Sequence, residues 1–189
     1  MEYPKDPYIS IHYRKYLGLD KILTAQHLRS VDLNKPAHDE MLFIVIHQVY
    51  ELWFKQIIHE LESISTMFKN DYLDESNIGT AVSRLDRILV IMGVLLEQIR
   101  VIETIKPMDF LEFRNYLFPA SGFQSFQFRK VEVMLGLPSN QRVTYNNLPY
   151  HTPFTEEEKQ ELDSIEQAGT LVTDLISWLE RTPFLKFNE

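Results

Sequence analysis

The sequence contains no cysteine. This absence excludes disulfide bonds, thiolate catalysis, zinc held by cysteine and haem ligated by a thiolate, and it agrees with the cytoplasmic location that we expect. Basic residues are also scarce, because 19 Lys and Arg stand against 27 Asp and Glu and give a net charge of −8. No basic run occurs. This balance argues against nucleic acid or an anionic membrane as a partner.

Targeting signals and long apolar segments are missing as well. The start, MEYPKDPYIS, lacks the basic and apolar regions of a signal peptide. The apolar window at residues 89–96, LVIMGVLL, is too short to cross a bilayer. With 189 residues, 44% of them hydrophobic and 24% charged, the chain suits one ordered domain with a real core.

Several familiar catalytic motifs are absent. The six histidines form no HExxH or HxxxH pair. The ExxH spacing of di-iron bundles fails at Glu51, Glu103 and Glu112, so a metal centre built by this chain is not expected. GxSxG, P-loop and GxGxxG sequences are missing too, which leaves nucleophile-elbow and nucleotide-binding functions without support.

Helical periodicity runs along most of the chain, and no segment has the pattern of a strand. We therefore predict an all-α helical bundle over residues 19–189, preceded by an arm at residues 1–18 that docks on a neighbouring subunit. Within the arm, residues 3–16 are predicted to be extended. The predicted helices cover residues 19–28, 38–63, 77–105 and 108–117, and a last helix runs from the Thr155–Glu158 capping box to Pro183.

The helix at residues 38–63 has the clearest pattern. Its predicted polar stripe and its predicted core stripe lie on opposite sides. Phe43 and His47 are four residues apart and share the helix surface that lies between these two stripes. At that position His47 is either a structural residue or part of a pocket wall. The polar stripe is Gln48, Glu51, Lys55, His59 and Glu62; the core stripe is Leu42, Ile46, Val49, Trp53 and Ile57. In the next helix the predicted core stripe is Ile78, Val82, Leu85, Leu89, Met92 and Leu96.

Two arginines lie among aromatic residues, Arg114 in EFRNY and Arg129 in QFRKV. A guanidinium in such surroundings loses part of its hydration and favours a carboxylate or phosphate partner. With 27 acidic residues in the chain, each arginine is open to an intramolecular salt bridge or to a clamp on an anionic ligand.

Three segments, HDEMLFIVIHQVYELWFKQIIHEL, FRNYLFPASGFQSFQFR and LISWLERTPFL, resemble the tryptophan 2,3-dioxygenase family. The likeness extends from about residue 13 to residue 185. It implies an all-helical bundle of the tryptophan/indoleamine dioxygenase type, assembled as a homotetramer around haem b. It also implies insertion of O2 across the indole C2–C3 bond of L-tryptophan to give N-formylkynurenine, the first step of tryptophan degradation by the kynurenine pathway.

The resemblance also implies roles for single residues. His47 matches the distal histidine that hydrogen-bonds the indole N–H, and Arg114 matches the arginine that pairs with the substrate carboxylate. Phe43, Phe110 and Phe113 match pocket-wall aromatics, although some relatives have Tyr at the position of Phe110. The resemblance also assigns Ile44, Val45 and Ile46 to the substrate pocket with Phe43. Ser121 and Gly122 match the turn over the haem. Tyr13 and Tyr16 match tyrosines that are inserted into a neighbouring subunit's site.

One departure from the family pattern changes the expectation. The family's proximal haem histidine and its Gly-rich substrate loop lie in a C-terminal half that this sequence does not contain. We therefore interpret the chain as the distal half of the enzyme, with no metal ligand of its own and with the axial ligand supplied by a complementary C-terminal segment. Two alternatives stay open. They are a related haem oxygenase acting on another indole or aromatic amino acid, which Phe110 permits, and a non-catalytic assembly module, against which the retention of Phe43, His47 and Arg114 counts.

Overall fold

The computed structural model describes residues 12–70, 75–144, 149 and 151–182, and all regular structure within them is helical. The predicted all-α class is confirmed. The α-helices in chain order are α1 (Tyr13–Tyr16), α2 (Leu19–Ile22), α3 (Arg29–Asp32), α4 (Glu40–Lys69), α5 (Glu75–Ile102), α6 (Pro107–Leu117), α7 (Phe126–Leu135), α8 (Glu156–Ala168) and α9 (Leu171–Arg181).

Helix α4 is the centre of the fold, because α5, α7 and α9 all pack along it. Its buried side repeats apolar residues at helical spacing, and Ile57, Leu61 and Ile64 are almost completely excluded from solvent. The helix predicted at residues 38–63 is therefore confirmed and continues to Lys69. Among the described helices, α4 alone is long and apolar enough, by length and composition, to cross a membrane.

The buried side of α4 also contains a carboxylate, Glu60. Arg87 of α5 donates to it at 2.7 Å and Gln56 at 2.7 Å, and Arg84 lies 3.6 Å away. Burial alone would raise the pKa of Glu60, but these hydrogen bonds and positive charges hold the pKa below its ordinary value. An ionised Glu60 therefore ties α4 to α5.

The predicted core stripe of α5 is confirmed only in part, because Leu85 and Met92 pack against the core but Val82, Leu89 and Leu96 do not. Ala81, Ile88, Ile91 and Leu95 face α4, whereas Val82, Leu89 and Leu96 of the predicted stripe are 51%, 69% and 68% exposed. The two sets lie one residue apart along an apolar helix, so periodicity indicated a helix but did not identify the side that packs on α4. The helix runs from Glu75 to Ile102 rather than over the predicted residues 77–105.

The C-terminal region forms two helices rather than the single predicted one. The Thr155–Glu158 capping box opens α8 as expected. Gly169, with φ +101, then ends the helical path, and a second capping box between Thr170 and Thr173 starts α9. An added Cβ on Gly169 would lie 2.9 Å from an Asp174 carboxylate oxygen, so this turn needs glycine.

The N-terminal elements are shorter than predicted. Residues 13–16 form the helical turn α1 instead of an extended arm, and α2 ends at Ile22 instead of residue 28. Asp39 precedes α4 without capping it through its side chain. Instead, the buried Glu40 accepts hydrogen bonds from the backbone N–H groups of Arg29 and Ser30 at 2.8 and 2.9 Å and thereby caps α3. Docking of the arm on another subunit stays a prediction, and residues 1–11 lie outside the described part.

Candidate functional site

His47 is held in one orientation by the preceding turn of α4. Its Nδ1 lies 2.7 Å from the carbonyl oxygen of Phe43, and the two rings lie 4.2 Å apart between centroids. Because a carbonyl only accepts hydrogen bonds, Nδ1 carries the hydrogen. In the neutral ring Nε2 is then an acceptor, and no described residue hydrogen-bonds to it. His47 therefore presents a fixed acceptor to a donor outside the helix.

Two adjoining cavities lie against His47. One, of about 300 Å³, is bounded by Phe43, His47 and Glu51 of α4 and by the segment before α7. The other, of about 240 Å³, shares His47, Glu51, Gly122 and Ser125 with the first. The remaining wall of the second cavity is largely apolar and comes from α4, α5 and α7: Ile46, Tyr50, Phe54, Ile102 and Phe128. The structure thus brings the predicted residues Phe43, Ile46, His47, Ser121 and Gly122 to one place.

The turn that faces His47 is built by two successive serine caps. Ser121 accepts a hydrogen bond from the N–H of Phe123 at 3.4 Å and donates its own N–H to the Gln124 side chain at 3.1 Å. Ser125 then caps α7 by accepting from the N–H of Phe128 at 3.2 Å. Apart from its two chain neighbours, no described residue has an atom within 4 Å of a Cβ added to Gly122. The glycine therefore leaves open space beside the cavity rather than serving the packing of this chain.

An aromatic cluster joins this region to α6. The ring of Phe43 lies 5.9 Å from Phe110 and 5.6 Å from Phe113, and Phe110 and Phe113 meet edge to face at 5.4 Å. Phe113 is fully buried. A third cavity, of about 360 Å³, is lined by Phe43, Phe110, Ile102, Ile105 and Pro107. The three predicted pocket-wall phenylalanines therefore form one packed group.

The two candidate arginines have different environments. Arg129 is buried, donates to Glu132 at 2.7 Å and lies 5.9 and 5.5 Å from the Phe123 and Phe128 rings. It has the intramolecular salt bridge that the sequence left open. Arg114 is exposed, and its guanidinium lies 5.7 Å from the Phe110 ring. No acidic side chain in the described part of the chain pairs with Arg114, so of these two arginines it is Arg114 that can clamp an anion without breaking an existing ion pair.

Six predicted residues line none of the three cavities, namely Phe113 and Arg114 described above and Ile44, Val45, Tyr13 and Tyr16. Ile44 is half-buried and Val45 is 38% exposed, and neither lines the three cavities described above. Tyr13 and Tyr16 on α1 are 70% and 72% exposed. Their insertion into a neighbouring subunit stays a prediction.

Glu51, which the sequence placed in the polar stripe of its helix, lines both cavities beside His47. Its carboxylate accepts a hydrogen bond from Gln127 of α7 at 2.8 Å, and the same amide donates to the Glu51 carbonyl at 2.9 Å. The available signal was its spacing, because Glu51 follows His47 by one helical turn. Ser125 and Phe128 also line the cavities, and only the docking of α7 on α4 brings them there.

Within the described ranges, no group of three or more His, Asp or Glu side chains is arranged to hold a metal ion. The other described histidines, His12, His27, His38, His59 and His151, are all exposed. His47 is the only described histidine that lines one of these cavities.

Comparison with known proteins agrees with the resemblance seen in the sequence. A family model described as tryptophan 2,3-dioxygenase matches residues 6–189. Relatives named tryptophan 2,3-dioxygenase include one from Bdellovibrio bacteriovorus, 46% identical over 186 residues, which are 98% of this chain and 50% of the relative. One from Dictyostelium discoideum is 48% identical over 178 residues (94% and 44%), and one from Xenopus laevis is 49% identical over 175 residues (92% and 43%).

The chain spans about half the length of the curated relatives it matches. The family model, however, covers nearly every residue of this chain. The chain belongs to the tryptophan 2,3-dioxygenase family.

Proposed function

We propose that this chain forms the distal, substrate-facing side of a haem-dependent dioxygenase that converts L-tryptophan and O2 to N-formylkynurenine. The observation that carries the proposal is the convergence of His47, Phe43 and the Ser121–Gly122 turn on one cavity. This arrangement combines a fixed hydrogen-bond acceptor, a flat apolar wall and a turn with open space beside it. An indole ring offers the complementary N–H donor and flat apolar faces.

The residues present fit a haem group on one side. The two adjoining cavities have largely apolar walls and share the open space at Gly122, which suits a large flat ligand. When bound, haem supplies the activation of O2. Because the remaining described histidines are exposed, we propose that the axial ligand comes from a complementary polypeptide and that His47 contacts substrate rather than iron.

His47, Phe43 and Arg114 each have a defined part in binding tryptophan. Nε2 of His47 accepts the hydrogen bond of the indole N–H, while Phe43 packs beside the ring. Arg114, which has no acidic partner among the described residues, pairs with the substrate carboxylate by two parallel N–H···O bonds. Fixing the amino acid at both ends holds the indole in one orientation for the reaction.

Two further contacts complete the proposed assembly. The hydroxyl of Ser121 has no described acceptor for its hydrogen, so it can donate to a ligand in the cavity. The exposed Tyr13 and Tyr16 are proposed to enter the corresponding site of a neighbouring subunit in a homo-oligomer, for which a tetramer is expected.

The test is to reconstitute the chain with haem and the complementary polypeptide and to follow N-formylkynurenine formation from L-tryptophan. His47→Ala should reduce kcat/KM by about tenfold, because one hydrogen bond and some orientation are lost. His59→Ala, an exposed histidine three turns later on α4, is the matched control and should retain full activity. A reconstituted, haem-loaded assembly that forms no product would contradict the proposed function. Loss of haem binding in His47→Ala would instead indicate that His47 is the axial ligand.

A further inference from the structure

Helix α5 has an apolar surface on the side that faces away from α4. Val82, Leu89 and Leu96 are 51%, 69% and 68% exposed, and they follow one another at intervals of seven residues. Val90, 67% exposed, extends this surface around the helix. We call these four residues the outer surface of α5. Three large aliphatic side chains repeated along one line are uncommon on a helix side that stays in water.

The rest of α5 shows why this surface calls for a second partner. Its inner side, formed by Ala81, Ile88, Ile91 and Leu95, is buried, and α4 is the described helix against which α5 packs closely. Residues 89–96, however, are apolar on every side of the helix. Such a segment is typical of a helix that is enclosed on several sides in its complete fold. One neighbour therefore accounts for only part of the apolar surface of α5.

The spacing of the outer residues points to a helix as the partner. Val82, Leu89 and Leu96 recur every seven residues, and Ile99, which is 43% exposed, follows Leu96 by three. Leu85 and Met92, at the same offset from Val82 and Leu89, already pack against the core shared with α4. The exposed line is therefore a place where a neighbouring helix can insert its own apolar side chains. Gly93 lies between Leu89 and Leu96, and outside its own helical turn no described residue comes within 4 Å of an added Cβ, so a neighbouring backbone can approach closely there.

We propose that the outer surface of α5 is the docking surface for an apolar helix of the complementary polypeptide, the one equivalent to the part of the relatives that this chain does not cover. Two observations favour this occupant over a second copy. The relatives contain about as much sequence again beyond the match. In addition, Ile102, at the end of α5, lines both the cavity beside His47 and the one beside Phe110, so a helix laid along α5 leads directly to the site. The inference rests on the proposed function, since both invoke the same polypeptide.

The direct test is to co-express this chain with the half of the Bdellovibrio bacteriovorus relative that the match does not cover. Only that half carries an affinity tag, and the amount of this chain that co-purifies with it is measured. The Leu89→Glu/Leu96→Glu variant should bind about a hundredfold or more weakly, because two leucines that would be buried become charged. Ser164→Glu/Gln167→Glu, two changes on the exposed side of α8, is the matched control and should co-purify normally. Circular dichroism of each variant alone should match the wild type, since all four side chains are exposed in this chain.

The absence of cysteine allows a second measurement that maps the contact. A single Leu89→Cys should be alkylated quickly in the chain alone and markedly more slowly in the co-purified complex, whereas Ser164→Cys should react equally in both.

Equal alkylation of Leu89→Cys in both states would overturn the proposal that this surface is the docking surface. Failure of the wild-type chain to co-purify would also overturn the proposal. So would self-association in analytical ultracentrifugation that Leu89→Glu/Leu96→Glu abolishes, since the occupant would then be a second copy. Neither readout uses haem or tryptophan, so an inactive but intact complex counts against the proposed function and not against this surface.

Discussion

Replacing Arg114 with Ala tests its proposed role in substrate recognition separately from any role in stability. The guanidinium is exposed, has no acidic partner among the described residues and rests 5.7 Å from the Phe110 ring. An exposed cation–π contact of this kind contributes about 0.5–1 kcal/mol. The variant should therefore unfold at nearly the wild-type temperature. Arg129→Ala should behave oppositely, because it leaves Glu132 buried without its partner at a cost of about 3–5 kcal/mol.

The expected effect of Arg114→Ala on catalysis is much larger. Charge-assisted hydrogen bonds contribute about 1.5–3 kcal/mol each, and a bidentate pair also orients the substrate. A loss of about 3 kcal/mol corresponds to a decrease of about 150-fold in kcat/KM for L-tryptophan. Arg114→Lys retains the charge without the planar fork, so it should recover only part of this loss.

The assay compares two substrates in the haem-loaded assembly, L-tryptophan and tryptamine, which has the same indole but no carboxylate. Arg114→Ala should slow the reaction of tryptophan and leave the slower reaction of tryptamine almost unchanged. If the variant retains near-normal kcat/KM for tryptophan, the clamp is wrong. If it loses equally with both substrates, Arg114 acts on the indole pocket rather than on the carboxylate.

The remaining predictions concern stability. Hydrogen bonds and positive charge from Arg87 and Arg84 lower the pKa of Glu60 in the folded state. The ion pairs of Glu60 should therefore stabilise the fold above the unfolded-state pKa of about 4.3. This stabilisation should be lost as the pH falls through the folded-state pKa. Glu60→Gln should lower the free energy of unfolding at pH 7 and flatten its acid dependence in urea titrations; an unchanged pH profile would contradict this role. Gly136→Ala should destabilise the chain by about 2 kcal/mol in the same titrations, since φ is +86 and a Cβ would lie 2.9 Å from the Thr170 hydroxyl. Gly79→Ala, in open space on α5, is its control and should stabilise by about 0.5–1 kcal/mol; equal effects at the two glycines would refute the strain argument.

Local sequence patterns predicted where the helices lie better than they predicted which helix surfaces pack together. Helix α4 was predictable because its apolar residues recur on one side over many turns, and α8 because its capping box is a local signal. The packed side of α5 was not predictable in the same way, since both of its apolar stripes satisfy helical periodicity. The stripe that packs on α4 includes the small Ala81, and that choice depends on the surface of α4 rather than on α5 alone.

In the candidate site, too, contacts within one helix were predictable from the sequence, whereas contacts between helices were not. The stacking of Phe43 on His47 follows from a spacing of four residues within one helix, and the structure confirms it. The facing wall needs α7 to dock on α4 through the bonds between Gln127 and Glu51, which lie 76 residues apart in the sequence. No pattern within either segment contains that information, so Glu51 and Ser125 became visible only in the folded chain.

The surroundings of the two arginines contain a local signal that distinguishes them. Both lie beside phenylalanine in a helix, and residue type alone makes them equivalent candidates for an anion clamp. Arg129, however, has Glu132 three residues later on the same helix surface, whereas the residues three and four positions from Arg114 are all apolar. Since acidic and basic side chains at this spacing pair readily, the sequence alone favours a salt bridge for Arg129 and an unpaired guanidinium for Arg114. An arginine that lacks an intrahelical acid yet lies among aromatic residues is therefore the better candidate for binding a ligand, and the substrate comparison described above tests that rule at Arg114.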